Sequence, residues 1–148
     1  MRQIWIPKTG SPEVLELRET ANPSPKSGEV RIRVKAAGVN FADILARMGL
    51  YPDAPKFPAV VGYEVSGEIE AVGPGVSAFK EGDAVLALTR FGGYSEKIVI
   101  SASQAFPIPK QLSFEKAAAI PVNYLTAWLM LISLGNVQAG DRVLIHAV

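Results

Sequence analysis

Residues 36–52 read AAGVNFADILARMGLYP, and this stretch is where a scaffold of strands gives way to something that can meet a substrate. Asn40 stands where a helix N-cap belongs, with Asp43 three positions on. The apolar residues Phe41, Ile44, Leu45 and Met48 then recur at helical spacing. Gly49 is a natural helix stop, and Tyr51-Pro52 leads the chain away. A short helix held between two strands at a sheet edge is a common setting for a cleft.

The flanking segments supply the strands. Upstream, residues 29–36 alternate, with Val30, Ile32, Val34 and Ala36 on one side and Glu29, Arg31, Arg33 and Lys35 on the other, as in a half-buried strand. Downstream, Lys56-Phe57-Pro58 interrupts the chain. From 63 to 71 it alternates again, with Tyr63, Val65, Gly67, Ile69 and Ala71 assigned to the core and Glu64, Ser66, Glu68 and Glu70 to solvent. Further strands are predicted at 3–6 and 15–19, forming a hairpin across a Gly-Ser-Pro turn, and at 95–100. The apolar run 84–88 reads as a strand buried on both faces. Gly73-Pro-Gly75-Val-Ser-Ala78 matches G-x-G-x-x-A. A phosphate cradle needs a helix to open on those glycines, whereas Phe79 to Asp83 makes another turn, so a hairpin connection is predicted. Strand, turn and strand at this spacing predict a mostly β fold, compact, antiparallel or mixed, and barrel-like.

After Leu112 the character changes. Ser113 is a candidate N-cap for a short helix through Ala119, with Glu115 in its first turn. A second helix, 122–134, is apolar nearly all round, which predicts burial, and Gly135 can end it. Val143 to Val148 then begins an apolar run of the parallel-sheet kind. The segment 117–135 is about the length of a membrane span, but Pro121, Asn123, Thr126 and Ser133 interrupt it, so a buried helix pair with a proline joint is expected instead.

Composition bounds the chemistry. The 148 residues, 49% hydrophobic and 20% charged, describe a core-rich globular chain. Fifteen basic against fourteen acidic residues give a net charge of +1, which provides no electrostatic basis for binding nucleic acid or an anionic membrane. The absence of cysteine excludes disulfides and thiolate chemistry, and a single histidine leaves little for a transition-metal site. The N-terminus has no signal-peptide layout.

Taken together, GVNFADILARMGLY, FPAVVGYEVSGEIEAVGPGV, GDAV, GGYSE, AAAIPVNYLTAW and AGDRVLIHAV resemble the medium-chain dehydrogenase/reductase superfamily. Within it they resemble the zinc-independent quinone oxidoreductase branch, in particular its vesicle amine transport protein 1-like group. The resemblance runs along essentially the whole chain. It implies a GroES-like catalytic portion over 1–121, mostly β (α+β), a partly open barrel with peripheral helices. Residues 122–148 would then be the linking helix and first strand of a Rossmann nucleotide-binding domain whose remainder lies beyond Val148. Zinc-dependent members place cysteine, histidine-glutamate and cysteine around the metal. The matching positions here are Asn40, Tyr63-Glu64 and Val122, so no zinc site is expected.

The resemblance further implies an NADPH-dependent, cytoplasmic enzyme, expected to be a homo-oligomer, that reduces quinones or other conjugated carbonyls. Such substrates suit a site without a Lewis acid, because hydride attacks a carbon that is already electron-poor. Asn40 would line the nicotinamide pocket and Thr126 would contact the cofactor. Tyr51, Tyr63 and Phe41 would line the substrate cleft, Tyr51 as a donor to the developing oxyanion.

Each assignment has a plainer counterpart. In it Asn40 serves only as a cap, Tyr63 as core and Thr126 as a bond back to its own helix. Asn123 needs a partner if it is buried, while Glu64 is predicted to be solvent-exposed and His146 is assigned no role. Without the nucleotide domain the portion from Val122 onward would expose apolar surface and self-associate, and no NADPH binding or turnover is expected of the chain alone. The rival from another class is a non-enzymatic module for binding proteins or vesicles. A GroES-like co-chaperone would explain the strands but not the apolar helix.

Overall fold

The computed structural model describes residues 1–146. A hairpin of β1 (Arg2–Trp5) and β2 (Glu16–Glu19) opens the chain, its antiparallel register running from Arg2 opposite Glu19 to Trp5 opposite Glu16. A 3-10 turn over Pro12–Val14 joins the two strands. The main sheet has five strands in the order β6-β3-β4-β5-β7, comprising β3 (Glu29–Ala37), β4 (Glu64–Val72), β5 (Ala84–Leu88), β6 (Lys97–Ser101) and β7 (Ala105–Pro107). All of its pairings are antiparallel. Isolated bridges from Gln3 to Ser95 and from Ile6 to Ala59 tie the N-terminal segment to the loops that lead into β6 and β4. The architecture is mostly β as expected, and its sheets stay open, as a partly open GroES-like fold with peripheral helices requires.

One face of the main sheet carries the core, made of Val30, Ile32, Val65, Ile69, Val85, Ala87, Ile98, Ile100 and Ala105. The alternating apolar residues of β3 and β4 meet there as their period of two requires. On the opposite face the basic residues of β3 meet the acidic residues of β4. Glu70 bonds Arg31 at 2.8 Å and Lys97 of β6 at 2.9 Å, with Arg33 at 3.4 Å, and Lys35 pairs with Glu68 at 3.3 Å. Two expectations for this sheet need correction. β5 is not buried on both faces, because only Val85 and Ala87 are fully enclosed and Ala84 is exposed. β4 does not keep its polar side wet throughout, since Glu64 and Ser66 are both buried. The reason is α2 (Phe114–Ala118), which packs Ala117 and Ala118 against that face, where the Ser66 hydroxyl donates to the Phe114 carbonyl at 2.6 Å. Ser113 caps α2 as predicted, accepting from the Lys116 amide.

The predicted central helix is α1 (Phe41–Met48), ended by Gly49 in the left-handed conformation at φ 76°. Glycine suits that position because it has no Cβ to strain. A second small core of Ile6, Ala46 and Val61 lies beneath α1, with Tyr51, Phe57 and Tyr94 packed on it. The Gly73–Ala78 stretch is a turn between β4 and β5 with no helix following, so the hairpin reading holds.

The C-terminal part departs most from expectation. α3 (Pro121–Trp128) runs into a π-helical turn over Leu129–Leu134, and both expose their apolar side chains, Trp128 and Met130 at 61% each. Burial of 122–134 is therefore not observed, and the alternative expectation of uncovered apolar surface is. Gly135 ends the turn, although the left-handed residue is Asn136, at φ 48°. Residues 143–146 form no strand, and the rest of the predicted terminal strand lies outside the described residues. Among the described residues no helix is long and apolar enough to cross a membrane.

Candidate functional site

The site is assembled where β3 ends, α1 begins and β4 starts. Asn40 has extended backbone before α1, and its N–H donates to the Asp43 carboxylate at 2.9 Å, one half of a capping-box arrangement. The other oxygen of the buried Asp43 takes the Gly62 N–H at 2.9 Å, fastening α1 to the loop that leads into β4. Buried Thr89 secures the same loop from β5, its hydroxyl donating to the Gly62 carbonyl at 2.6 Å and its N–H to the Tyr63 carbonyl at 2.7 Å.

Asn40 does more than cap. Its side-chain Nδ2 donates to Glu64 Oε1 at 3.0 Å, and Glu64 Oε2 accepts the Val122 N–H at 2.8 Å. Glu64 is 1% exposed, which overturns its predicted solvent exposure. α2 and the head of α3 cover its face of β4, and the two donors compensate the carboxylate for lost water. Gly38 makes room for it, because a Cβ there would overlap the Glu64 carboxyl group. Alternation along one strand could not reveal this, since the covering helices lie about fifty residues further along the chain.

Tyr51 and Tyr63 come together edge to face, centroids 6.2 Å apart, and Phe91 lies tilted against Tyr63 at 5.6 Å and 60°. The Tyr63 hydroxyl is buried and has no hydrogen-bond partner among the described residues. Burial, with Tyr51 and the Asp43 carboxylate close by, pushes its pKa up to about 12, so it remains a proton-bearing donor. Phe91 is the member of this aromatic wall that the sequence reading missed.

Other sequence candidates are placed less decisively. Phe41 opens α1 with 71% of its surface exposed. Thr126 is exposed on α3, one turn beyond Val122. Asn123 is exposed and donates to the Ala119 carbonyl at 3.3 Å, so it needs no buried partner.

A cavity of about 400 Å³ lies between β1 and α1, lined by Ile4, Ile6, Val39, Ile44, Val61 and Tyr94 together with Asp43 and Arg47. Neither Asn40, Tyr51, Tyr63 nor Thr126 lines it. Its lining is nearly all hydrocarbon. Asp43 is already satisfied, Arg47 donates to the Gly10 carbonyl, and Tyr94 carries a second orphaned hydroxyl. Burial, followed by the nearby Asp43, holds the Tyr94 pKa above the ordinary tyrosine range. The cavity offers shape but few groups for chemistry, whereas the Asn40–Glu64 pair and the tyrosines offer directed donors.

The donor set does not suit zinc. An amide N–H₂, a phenol, a valine and one carboxylate whose two oxygens are both engaged provide no tetrahedral N/S set. Among the described residues no three His, Cys, Asp or Glu side chains gather to hold a metal ion.

Comparison with known proteins agrees with this picture. The family described as alcohol dehydrogenase GroES-like domain matches residues 26–110. The human synaptic vesicle membrane protein VAT-1 homolog is 45% identical over 132 residues, which are 89% of this chain and 34% of that protein. The quinone oxidoreductase of Lama guanicoe is 43% identical over 148 residues, 99% of this chain and 45% of that protein. Among solved structures, the human VAT-1 homolog-like protein superposes with a TM-score of 0.91 at 38% identity, covering 95% of this chain and 45% of that one. The Escherichia coli quinone oxidoreductase, solved in complex with NADPH, gives 0.83 at 38% identity, covering 89% and 40%. The chain thus spans between a third and a half of the length of these relatives. It belongs to the medium-chain dehydrogenase/reductase superfamily and carries that superfamily's alcohol dehydrogenase GroES-like domain, in the company of quinone oxidoreductases and VAT-1 homologs.

Proposed function

We propose that this chain is the substrate-side portion of a zinc-independent, NADPH-dependent oxidoreductase that reduces quinones or other conjugated carbonyls by hydride transfer. Residues 1–121 would form the catalytic domain, and 122–148 would lead into the nucleotide-binding domain. The observation that carries the reading is the buried, unpartnered Tyr63 hydroxyl in an aromatic wall with Tyr51 and Phe91. A flat conjugated ring fits such a wall, and its carbonyl oxygen offers the orphaned donor an acceptor that gains negative charge as hydride arrives. NADPH supplies that hydride when bound. This chain's part is to orient the reactants. The Asn40 carboxamide, fixed through Nδ2, would face the nicotinamide, Thr126 would meet the cofactor from α3, Phe41 would flank the entrance, and Tyr51 would back Tyr63 as a donor. These residues would form one wall of a nicotinamide site, and no pyrophosphate cradle lies among the described residues.

The test is NADPH oxidation by a full-length protein carrying this chain, followed at the nicotinamide absorbance with a panel of quinones and enones. Turnover is expected, whereas tight NADPH binding without turnover of any acceptor would overturn the reading. The isolated chain is expected to bind no NADPH, and a micromolar dissociation constant would contradict that. A non-enzymatic role in binding vesicles or proteins is the second reading. It is favoured by the apolar surface exposed on α3 and by a 45% identical relative named as a synaptic vesicle membrane protein. Its signature would be liposome co-sedimentation that survives loss of NADPH binding.

A further inference from the structure

We propose that Glu64 is a positioning residue of this site. Its buried carboxylate holds the Asn40 carboxamide and the first turn of α3 at a fixed separation, and so sets where Asn40 and Thr126 stand relative to each other. The inference rests on the reading above that both residues face the cofactor.

A carboxylate with 1% of its surface exposed is costly to keep unless each oxygen is compensated, and an apolar residue of similar size would fill the same space without that cost. Here the compensation comes from neutral donors on two separate elements. Asn40 Nδ2 reaches one oxygen at 3.0 Å from the N-terminus of α1, and the Val122 N–H reaches the other at 2.8 Å. Val122 follows Pro121 at the start of α3, so its N–H is one that no carbonyl within the helix can accept. Thr126 lies four residues on, above Val122 on the same side of the helix. The bond also fixes the orientation of the Asn40 amide, since the reversed group would set its oxygen against a carboxylate oxygen. That leaves the amide oxygen and one N–H of Asn40 for a ligand. A third tie comes from the backbone, where the Gly38 N–H donates to the Glu64 carbonyl at 3.1 Å.

The test compares Glu64→Gln with the wild type in a full-length protein, with Glu68→Gln as a control on the same strand. Glutamine keeps the size but has one acceptor oxygen, so either its NH₂ faces the Val122 N–H and α3 loses its tie, or its NH₂ faces Asn40 and the amide offered to the cofactor is reversed. The expected result is a fall in kcat of about tenfold or more and a changed primary deuterium isotope effect from NADPH deuterated at the transferred position. Quinone KM should stay within about twofold, and Glu68→Gln should leave all of these unchanged. In hydrogen exchange, the Val122 amide should lose protection in Glu64→Leu, which leaves it no acceptor. It should keep it in Glu64→Gln/Asn40→Asp, where the donor and acceptor are exchanged. If Glu64→Gln lowers only the melting temperature, with kcat and isotope effect unchanged where the variant is folded, the residue is a structural pin and the proposal is overturned. If Glu64→Gln does not fold, the wild-type Asn40 side-chain amide decides by NMR: one slowly exchanging proton supports the proposal, and two rapidly exchanging protons refute it. A wild type that oxidises no NADPH would sink the functional reading, whereas loss of Val122 protection would still show Glu64 holding α3.

Discussion

Tyr63 and Gly38 carry consequences that can be measured one side chain at a time. The Tyr63 hydroxyl has been taken out of water without receiving a partner, so it opposes folding while standing ready for a substrate acceptor. Tyr63→Phe is therefore expected to leave stability unchanged or raise it by about 1 kcal/mol. In a full-length protein the same change should lower kcat/KM for quinone by about 10²-fold, the size expected when an oxyanion donor is lost. Thermal melts and steady-state rates on one preparation check both signs, and a variant that loses stability without losing rate would make Tyr63 an ordinary core residue. Gly38→Ala works in the opposite direction. Its methyl group would press on the Glu64 carboxyl, so a loss of about 1–3 kcal/mol is expected by thermal denaturation, together with the loss of Val122 amide protection.

Among elements, the polar face of β3, β4 and β6 shows how strand alternation becomes an ion-pair network. Glu70, with a side-chain exposure of 16%, sits among Arg31, Arg33 and Lys97. Burial alone would raise its pKa, but the bond and charge of Lys97, followed by Arg31, outweigh it and hold the carboxyl below the ordinary value of 4.5. A carboxyl whose pKa is lowered by folding stabilises the fold above 4.5 and loses that contribution as the pH falls through its folded value. Glu70→Gln should thus cost about 1 kcal/mol near neutral pH, where three cations are left facing one another, and close to nothing in strong acid. Urea titrations of both proteins across the acid range measure the difference directly, and a pH-independent gap would mean that packing, not charge, is responsible.

For the whole molecule, the imbalance lies in the C-terminal part. Tyr124, Leu125, Trp128, Leu129, Met130, Ile132 and Leu134 together expose far more apolar surface than the scattered residues of an ordinary protein face. The chain alone is expected to self-associate through α3 and the π-helical turn. Trp128→Gln with Leu129→Lys should shift it toward monomer in light scattering while changing stability by less than about 0.5 kcal/mol, since neither side chain is buried. Oligomers that persist unchanged in that variant would place the contact elsewhere.

Strands β1 to β6, the central helix with its Asn40 start and Gly49 stop, the hairpin nature of the Gly73–Ala78 turn and the Ser113 cap were legible in the residue order, because each depends on neighbours a few positions away, whereas the short β7 and the absence of a strand over 143–146 were not. Cysteine count and charge balance likewise bounded the chemistry before any folding. The burial of Glu64, the aromatic partnership of Phe91 with Tyr63 and the open flank of α3 were not legible. Each is set by what a distant segment covers: α2 and Val122 close over β4 from about fifty residues away, and nothing described closes over α3. A period of two tells which side chains share a face, but only tertiary packing determines which faces lose their water.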